Sequence, residues 1–277
     1  MKRKEVTLMH KILKKVQLNE ANIEMEIEAP YVARNAAPGQ FIMFRLNQTG
    51  ERIPLTIYDW SKERGSVSII FQPVGKTTKE LAALKEGDYI MDFFGPLGKP
   101  THVNKYGTVV MIGGGLGIAP IYPQARAFKE AGNHVISITG ARTDNLLILK
   151  DKMREASTEV IFCTDDGSIG KKGLVTEALL EIIKSGKKVD HVVGIGPLVM
   201  MRAVQKVTKE YNIDYTASLN TIMVDGTGMC GACRATVGGK TLFACVDGPD
   251  VPGNLVDFDE LIMRNKRFAV QEKDAVE

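Results

Sequence analysis

Four nearly uninterrupted aliphatic runs dominate the chain from about residue 105: Val109-Val110-Met111-Ile112, Val135-Ile136-Ser137-Ile138, Val160-Ile161-Phe162 and Val192-Val193-Gly194-Ile195. Helix-like stretches lie between them. A strand with one wet face alternates apolar and polar residues, so continuous runs demand cover on both faces; they predict a parallel sheet flanked by helices. Before them, Ile23–Ile27, Phe41–Phe44 and Ser66–Phe71 are short β-like runs. Turn signals at Ala37-Pro38-Gly39, Lys85-Glu86-Gly87-Asp88 and Gly95-Pro96-Leu97-Gly98 punctuate them at spacings that suit a small antiparallel β-barrel. From Ile222 the composition shifts to Gly and Cys, and Asp257 with Glu260 has capping-box spacing before Leu261-Ile262-Met263, which predicts a short helix. The expected fold class is therefore multidomain β and α/β: a barrel over 1–100, a parallel α/β domain over 101–221 and a small module over 222–277.

Charge and hydropathy exclude several functions. Thirty-six Lys and Arg against 33 Asp and Glu leave +3, too small and too dispersed for a nucleic-acid surface. The basic start is followed by no apolar run of export length, and no stretch approaches a membrane span. Neither nucleic acid nor membrane is expected as a partner. Four cysteines are too few for a disulfide scaffold, and three fall within sixteen residues. That clustering points to metal in a reducing, cytoplasmic setting.

The cluster reads Asp225-Gly-Thr-Gly-Met-Cys230-Gly-Ala-Cys233, with Cys245 after eleven intervening residues. Plant-type [2Fe-2S] ferredoxins space their ligands as Cys, four residues, Cys, two residues, Cys, and a distant Cys. Here Asp225 stands first. A carboxylate is anionic and binds ferric iron, so one oxygen among three thiolates is chemically sound and should alter the potential. Gly226, Gly228 and Gly231 suit a loop that must bring backbone amides close to bridging sulfides. Three other readings stay open: a structural zinc site lacking a local fourth ligand, a dithiol using Cys230 and Cys233 alone, and Cys163 in place of Asp225 as the fourth iron ligand.

The first aliphatic run leads into Gly113-Gly114-Gly115-Leu116-Gly117 and then a helical stretch. A glycine turn from parallel strand to helix lets a pyrophosphate approach backbone amides at the positive helix end. Asp165-Asp166-Gly167-Ser168 and Gly194-Ile195-Gly196-Pro197 also follow predicted strands, so all three loops should meet at the carboxyl edge of one sheet. Arg142 follows another strand and is placed to meet a ribose or a 2′-phosphate, which leaves NAD against NADP open.

Within the barrel region, Arg52-Ile53-Pro54-Leu55-Thr56 combines a cation, a rigid ring and a hydroxyl. On its own it fits a surface strand equally well. Taken in order with Gly75-Lys76-Thr77-Thr78, Gly95-Pro96-Leu97-Gly98, the glycine loop, the Asp-Asp turn, Gly-x-Gly-Pro and the cysteine spacing, it resembles the ferredoxin-NADP reductase superfamily over nearly the whole chain. More narrowly, the series is similar to the small-subunit family of NADH-dependent reduced ferredoxin:NADP oxidoreductases, also called sulfide dehydrogenases. The electron-transfer subunit of dihydroorotate dehydrogenase is the nearest relative of different function, and there four cysteines are expected where this loop has three and Asp225.

The resemblance implies an FAD barrel, a nicotinamide domain and a [2Fe-2S] module. It implies that Arg52 approaches the FAD phosphates, that Thr56 faces flavin N5 as the catalytic contact, with Ile53, Pro54 and Leu55 beside it, and that Gln72, Pro73 and Val74 lie along the flavin. Thr77 and Thr78 would touch the pyrophosphate. Gly113, Gly114, Gly115, Gly117, Arg142, Asp165, Asp166, Gly196 and Pro197 would serve NAD(H) as substrate; Ile195 precedes Gly196 where many relatives carry Cys, so no catalytic thiol is expected there. Asp225, Cys230, Cys233 and Cys245 would hold the iron. The implied partners are a larger subunit, with another flavin, [4Fe-4S] clusters and the NADP site, and ferredoxin. The alternatives are dihydroorotate dehydrogenase electron transfer and a non-catalytic nucleotide-binding regulator with zinc.

Overall fold

The computed structural model describes residues 9–274; the basic start lies largely outside the described residues. Strands β1 (His10–Gln17) and β2 (Ile23–Glu28), helix α1 (Pro30–Asn35), strands β3 (Phe41–Arg45), β4 (Ile53–Thr56), β5 (Asp59–Ser61) and β6 (Ser66–Phe71), helix α2 (Lys76–Ala83), and strands β7 (Tyr89–Ile90) and β8 (Asp92–Leu97) make up the first part. Its ladders are all antiparallel. They fall into two sheets, β5-β6-β2-β1-β7 and β4-β3-β8, over a shared core that includes Ile12, Met25, Ile42, Phe44 and Ile69. Among the described residues the expected antiparallel β first part is present, with its ladders divided between these two sheets. Register shifts in β1 between Ile12 and Lys14, and in the β3–β8 pairing between Phe41 and Met43, bend the strands and break the ladder. Gly95-Pro96, expected as a turn, lies inside β8. That strand pairs only with β3, and an edge tolerates the missing proline N–H.

The second part runs β9 (Thr108–Gly114), α3 (Ile118–Glu130), β10 (His134–Ala141), α4 (Lys150–Ala156), β11 (Glu159–Thr164), β12 (Lys171–Lys172), α5 (Val175–Lys184), β13 (His191–Ile195), α6 (Leu198–Glu210) and β14 (Asp214–Ser218). All these strands pair in parallel, and β9, β10, β11 and β13 are the four aliphatic runs of the sequence. Val109 to Ile112 are sealed from solvent on both faces of the central strand. Each such side chain contributes roughly 1.5–3 kcal/mol, which is why this strand sits at the centre.

The last part contributes β15 (Arg234–Val237), β16 (Lys240–Phe243), β17 (Asp250–Pro252), α7 (Phe258–Asn265) and α8 (Ala269–Asp274). The predicted short helix is α7, and the Asp257 carboxylate accepts the Glu260 N–H at 2.9 Å as its cap. β17 pairs antiparallel with β14, so this segment completes the edge of the nucleotide sheet. Its Cys233, Cys245 and Phe258 share one core with Met43 of β3 and Val110 of β9. The parts are also pinned by polar contacts: Lys99 N–H donates to the Gly248 carbonyl at 2.7 Å, Thr101 Oγ1 donates to Asp250 Oδ2 at 2.6 Å, and Lys152 Nζ lies 3.1 Å from Asp59.

Asp250 carries a pH signature. Part of the residue reaches solvent, but Oδ1 is buried without a partner among the described residues, and burial pushes the carboxyl above its ordinary value. A folded-state pKa raised in this way favours the protonated acid. Its contribution is complete below the unfolded pKa and is lost as pH rises through the folded one. Asp250→Asn keeps an acceptor for Thr101 and cannot ionise. Thermal melts should therefore favour the variant at about pH 8, with the gap closing toward about pH 4; a gap independent of pH would refute the assignment.

Candidate functional site

The strand order β12-β11-β10-β9-β13-β14-β17 places β9 at the reversal. The chain builds outward from β9 through β12, then returns to β13 on the other flank. Ligands of open α/β sheets lie beyond the carboxyl ends at such a switch point. A cleft of about 1010 Å³ opens there, walled on the far side by β3 and β4. That is the upper end of the ~300–1,000 Å³ usual for small-molecule sites.

The glycine loop divides by role. A Cβ on Gly113 would stand 3.0 Å from the Ile118 Cα, and one on Gly117 only 2.2 Å from the Ile195 carbonyl oxygen. Both glycines let the start of α3 pack against neighbouring backbone. Gly114 likewise admits Met200, and Gly196 admits both Met200 and the Gly114 backbone. Gly115 differs: it holds φ at +56° and a Cβ there would meet nothing within 4 Å. Beside it the turn 115–117 runs straight into α3, which has no side-chain cap and whose Ile118 N–H is already bonded to the Gly115 carbonyl, so the open side of Gly115 is what the turn leaves for a ligand. Gly114, Gly115 and Gly117 line the cleft, as do Arg142, Asp165, Gly196 and Pro197. Gly113 is buried within β9, outside the lining.

Asp166 is not brought to the cleft either. Its Oδ1 accepts the Ser168 N–H at 2.9 Å and the Ser168 hydroxyl at 2.7 Å, and these bonds hold its carboxyl below the usual carboxylate range. It is a turn-closing residue.

On the opposite wall, Pro54, Leu55, Thr56, Gln72, Pro73 and Val74 line the cleft. The Thr56 hydroxyl has no hydrogen-bond partner among the described residues, whereas Gln72 Nε2 donates to Asn22 Oδ1 at 3.1 Å. Four residues of the implied flavin set stand elsewhere. Ile53 alternates with Pro54 along β4 and packs on the core of the first part. Arg52 is exposed and outside the lining. Thr77 is buried with its hydroxyl 3.4 Å from Glu51 Oε2, and Thr78 Oγ1 accepts the Gly75 N–H at 3.0 Å at the start of α2. Both threonines are absent from the cleft lining: Thr78 closes the first turn of α2 and Thr77 is turned to Glu51.

The cysteine loop lies at the end of β3 and β8. Gly226, Gly228 and Gly231 hold φ of +75°, +85° and +66°. These are left-handed conformations that a side chain would strain. A Cβ on Gly226 would meet Met43 and Leu97 at 2.8 and 2.9 Å, so the loop is pressed onto β3 and β8. Phe41 of the same β3 lines the cleft. Cys233 and Cys245 are buried with their sulfurs 3.2 Å apart, and Cys230 is exposed. Burial, then the bond to Cys233, pushes the Cys245 thiol up to about 12. Metal must therefore displace that proton.

Two thiolates on one tetrahedral metal stand roughly 3.8 Å apart, so this pair is poised for a single iron. Asp225 Oδ1 accepts the Thr227 N–H and Oδ2 the Cys230 N–H, both at 2.8 Å. These amides hold its carboxyl below the usual range. Each oxygen keeps a lone pair, beside Cys230. No three His, Cys, Asp or Glu side chains among the described residues close on one metal ion. A binuclear centre needs only two donors per iron, and the donor set fits that division.

Cys163 is buried on β11, where burial pushes its thiol up to about 11. Between it and β14, the strand that carries the C-terminal module, lie β10, β9 and β13. At ~4.8 Å per strand that is roughly 19 Å.

Sequence reasoning missed one wall entirely. Ser218, Leu219, Asn220, Thr221, Met223 and Pro249 also line the cleft. The signal lay in Tyr215-Thr216-Ala217, a weak strand whose carboxyl end joins the same sheet edge.

Comparison with known proteins extends the geometry. Residues 220–257 match the iron-sulfur cluster binding domain of dihydroorotate dehydrogenase B, and residues 111–206 match the oxidoreductase NAD-binding domain. A Thermotoga maritima dihydroorotate dehydrogenase B (NAD(+)) electron transfer subunit homolog is 47% identical over 271 residues, covering 98% of this chain and 95% of that one. The probable electron transfer subunit of Methanocaldococcus jannaschii is 37% identical over 85% of this chain and 87% of its own. A solved structure of NADH-dependent reduced ferredoxin-NADP oxidoreductase, described for flavin-based electron bifurcation, superposes with a TM-score of 0.92 at 44% identity, over 98% of this chain and 97% of that one. A Neisseria gonorrhoeae ferredoxin NADP+ reductase with bound FAD and NADP shares the fold alone: 17% identity, TM-score 0.59, 73% and 90% coverage.

Proposed function

The chain belongs to the family of dihydroorotate dehydrogenase B electron transfer subunits and their homologues, and from that premise we propose that it is the NAD(H)-linked small subunit of a bifurcating NADH-dependent reduced ferredoxin-NADP oxidoreductase. The observation that carries this reading is Asp225, amide-anchored beside Cys230 in a chain that superposes end to end on such an enzyme. The resemblance expects four cysteines in the dihydroorotate-linked subunits.

A bound FAD would supply hydride exchange with nicotinamide as an electron pair and single-electron exchange with a [2Fe-2S] centre. The chain's task is positioning. The open side of Gly115, at the positive end of α3, would receive the nicotinamide pyrophosphate, while Pro54, Leu55 and Thr56 would hold the flavin edge and the Thr56 hydroxyl is free to donate. Asp225 with Cys230 and Cys233 with Cys245 are the two donor pairs that would hold the iron–sulfur centre. β3 links the two sites, since Phe41 lines the cleft and Met43 supports the cysteine loop. No side chain need act as general acid or base. A larger subunit with the NADP site and a second flavin is the proposed partner, with ferredoxin served through it, and the unpaired cysteines suit the reducing cytoplasm.

Anaerobically reconstituted, the lone chain should pass electrons from NADH to ferricyanide yet fail to couple ferredoxin and NADP, and its larger subunit should restore coupling. Coupled turnover by the lone chain would refute the division of labour. Isolation with an orotate-forming subunit would move the chain to dihydroorotate oxidation.

A further inference from the structure

Behind the exposed side of the cysteine loop lies a second, smaller cavity that the electron-transfer reading does not use. It measures about 160 Å³ and is lined by Thr221, Cys230, Arg234, Arg264, Asn265 and Arg267, with Ile222, Leu261 and Phe268 as its apolar part. Among the described residues none of the three arginines has a carboxylate within ion-pair distance. Arg234 donates to the Gly231 carbonyl at 3.1 Å and Arg264 to the Ala232 carbonyl at 3.5 Å, so two guanidiniums are tied to the loop between Cys230 and Cys233. Burial, then Arg234 and Arg267, holds the Arg264 guanidinium below its ordinary pKa against the opposing pull of Glu260. Arg234 and Arg267 are exposed and Arg264 is half-buried, so the three guanidiniums gather positive charge around the cavity mouth, where an anion would be attracted.

Thr221 is the independent observation. It is 5% exposed, its Oγ1 is buried with no partner, and it lines both this cavity and the large cleft. A buried hydroxyl is seldom left unsatisfied without a ligand or water to meet it.

We infer that this cavity is an oxyanion site, taking one phosphate or carboxylate group on Arg234, Arg264, Arg267 and the Thr221 hydroxyl, and that its occupancy is coupled to the charge of the neighbouring iron–sulfur centre. The volume suits a single anionic head and falls short of the ~300 Å³ at which whole small-molecule ligands begin. The coupling, though not the site, rests on the iron-binding reading. Reduction adds negative charge beside Cys230, so it opposes the anion, and linkage requires the anion to disfavour reduction equally.

The test is calorimetric titration of the full-length, cluster-loaded chain with inorganic phosphate and with succinate at fixed ionic strength, oxidised and dithionite-reduced. Saturable binding of either, severalfold weaker after reduction, is expected. Arg264→Gln and Thr221→Val should each weaken it, the first by roughly tenfold or more because a charge-assisted bond is lost. Arg267→Gln, on the exposed side, serves as the variant least able to disturb folding. Repeating the titration on the complex with the larger subunit separates two sources: competition means that an acidic side chain of the partner fills the site, and retained binding means a free oxyanion does. Absence of saturable binding to the chain, binding indifferent to Arg264→Gln, or affinity unchanged by reduction would each overturn the inference. A missing iron–sulfur resonance signal would instead count against the metal reading, and the oxidised-state titration would still judge the site.

Discussion

Cys245→Ser and Cys233→Ser should each yield protein without the visible absorption or the reduced-state paramagnetic resonance of a [2Fe-2S] centre, while Cys163→Ser retains both in full. The buried pair stands 3.2 Å sulfur to sulfur and shares one iron in the proposed division, so loss of either leaves that iron a single thiolate. Asp225→Ala removes the carboxylate anchored by amides beside Cys230, and its cluster should be lost or strongly labile. Cys163 sits on β11, separated by three strands from the β14 that carries the module, and its serine variant should cost about 1–3 kcal/mol through a buried hydroxyl, with iron content unchanged. Cluster loss should not unfold the molecule. β17 remains paired with β14, and the shared core holds the module, unlike small zinc domains in which metal binding is the folding energy. Far-UV dichroism close to the parent is therefore expected in the Asp225 variant. Iron loss from Cys163→Ser with retention in Asp225→Ala would reverse the assignment.

What the sequence disclosed depended on whether the cause was local. The parallel sheet was legible because strands buried on both faces need unbroken aliphatic runs, and the cysteine loop because three glycines at 226, 228 and 231 announce left-handed backbone. Asp257 announced α7 by a side-chain cap that acts within three residues. The pairing of β17 with β14 was not legible, since it depends on contacts more than thirty residues apart and on a strand with no strong pattern. For the same reason the Ser218–Thr221 wall went unseen. Motif order located the flavin strand, but only the alternation of β4 shows that Pro54 and Thr56 face away from Ile53. Thr78 was expected at the pyrophosphate, whereas its hydroxyl accepts the Gly75 N–H at the start of α2.

Two substitutions in one loop should fail in opposite ways. Gly117→Val places a Cβ 2.2 Å from the Ile195 carbonyl oxygen and 2.7 Å from its carbon. Those are backbone atoms of β13, so relief requires separating the start of α3 from the sheet; the expected loss exceeds about 4 kcal/mol and soluble protein should be scarce. Gly115→Ala meets no neighbour within 4 Å and pays only for φ of +56°. That strain costs about 1 kcal/mol, so the variant should fold with its cluster intact. Its new methyl nonetheless occupies the open side of the turn where the nicotinamide pyrophosphate must approach. Displacing the nucleotide by about 1 Å is enough to slow NADH-driven flavin bleaching on the order of 10²-fold in rapid mixing, with dithionite reduction unaffected. If Gly115→Ala bleached at the parental rate, the loop would be a packing turn, and the nicotinamide site would have to lie elsewhere along the cleft.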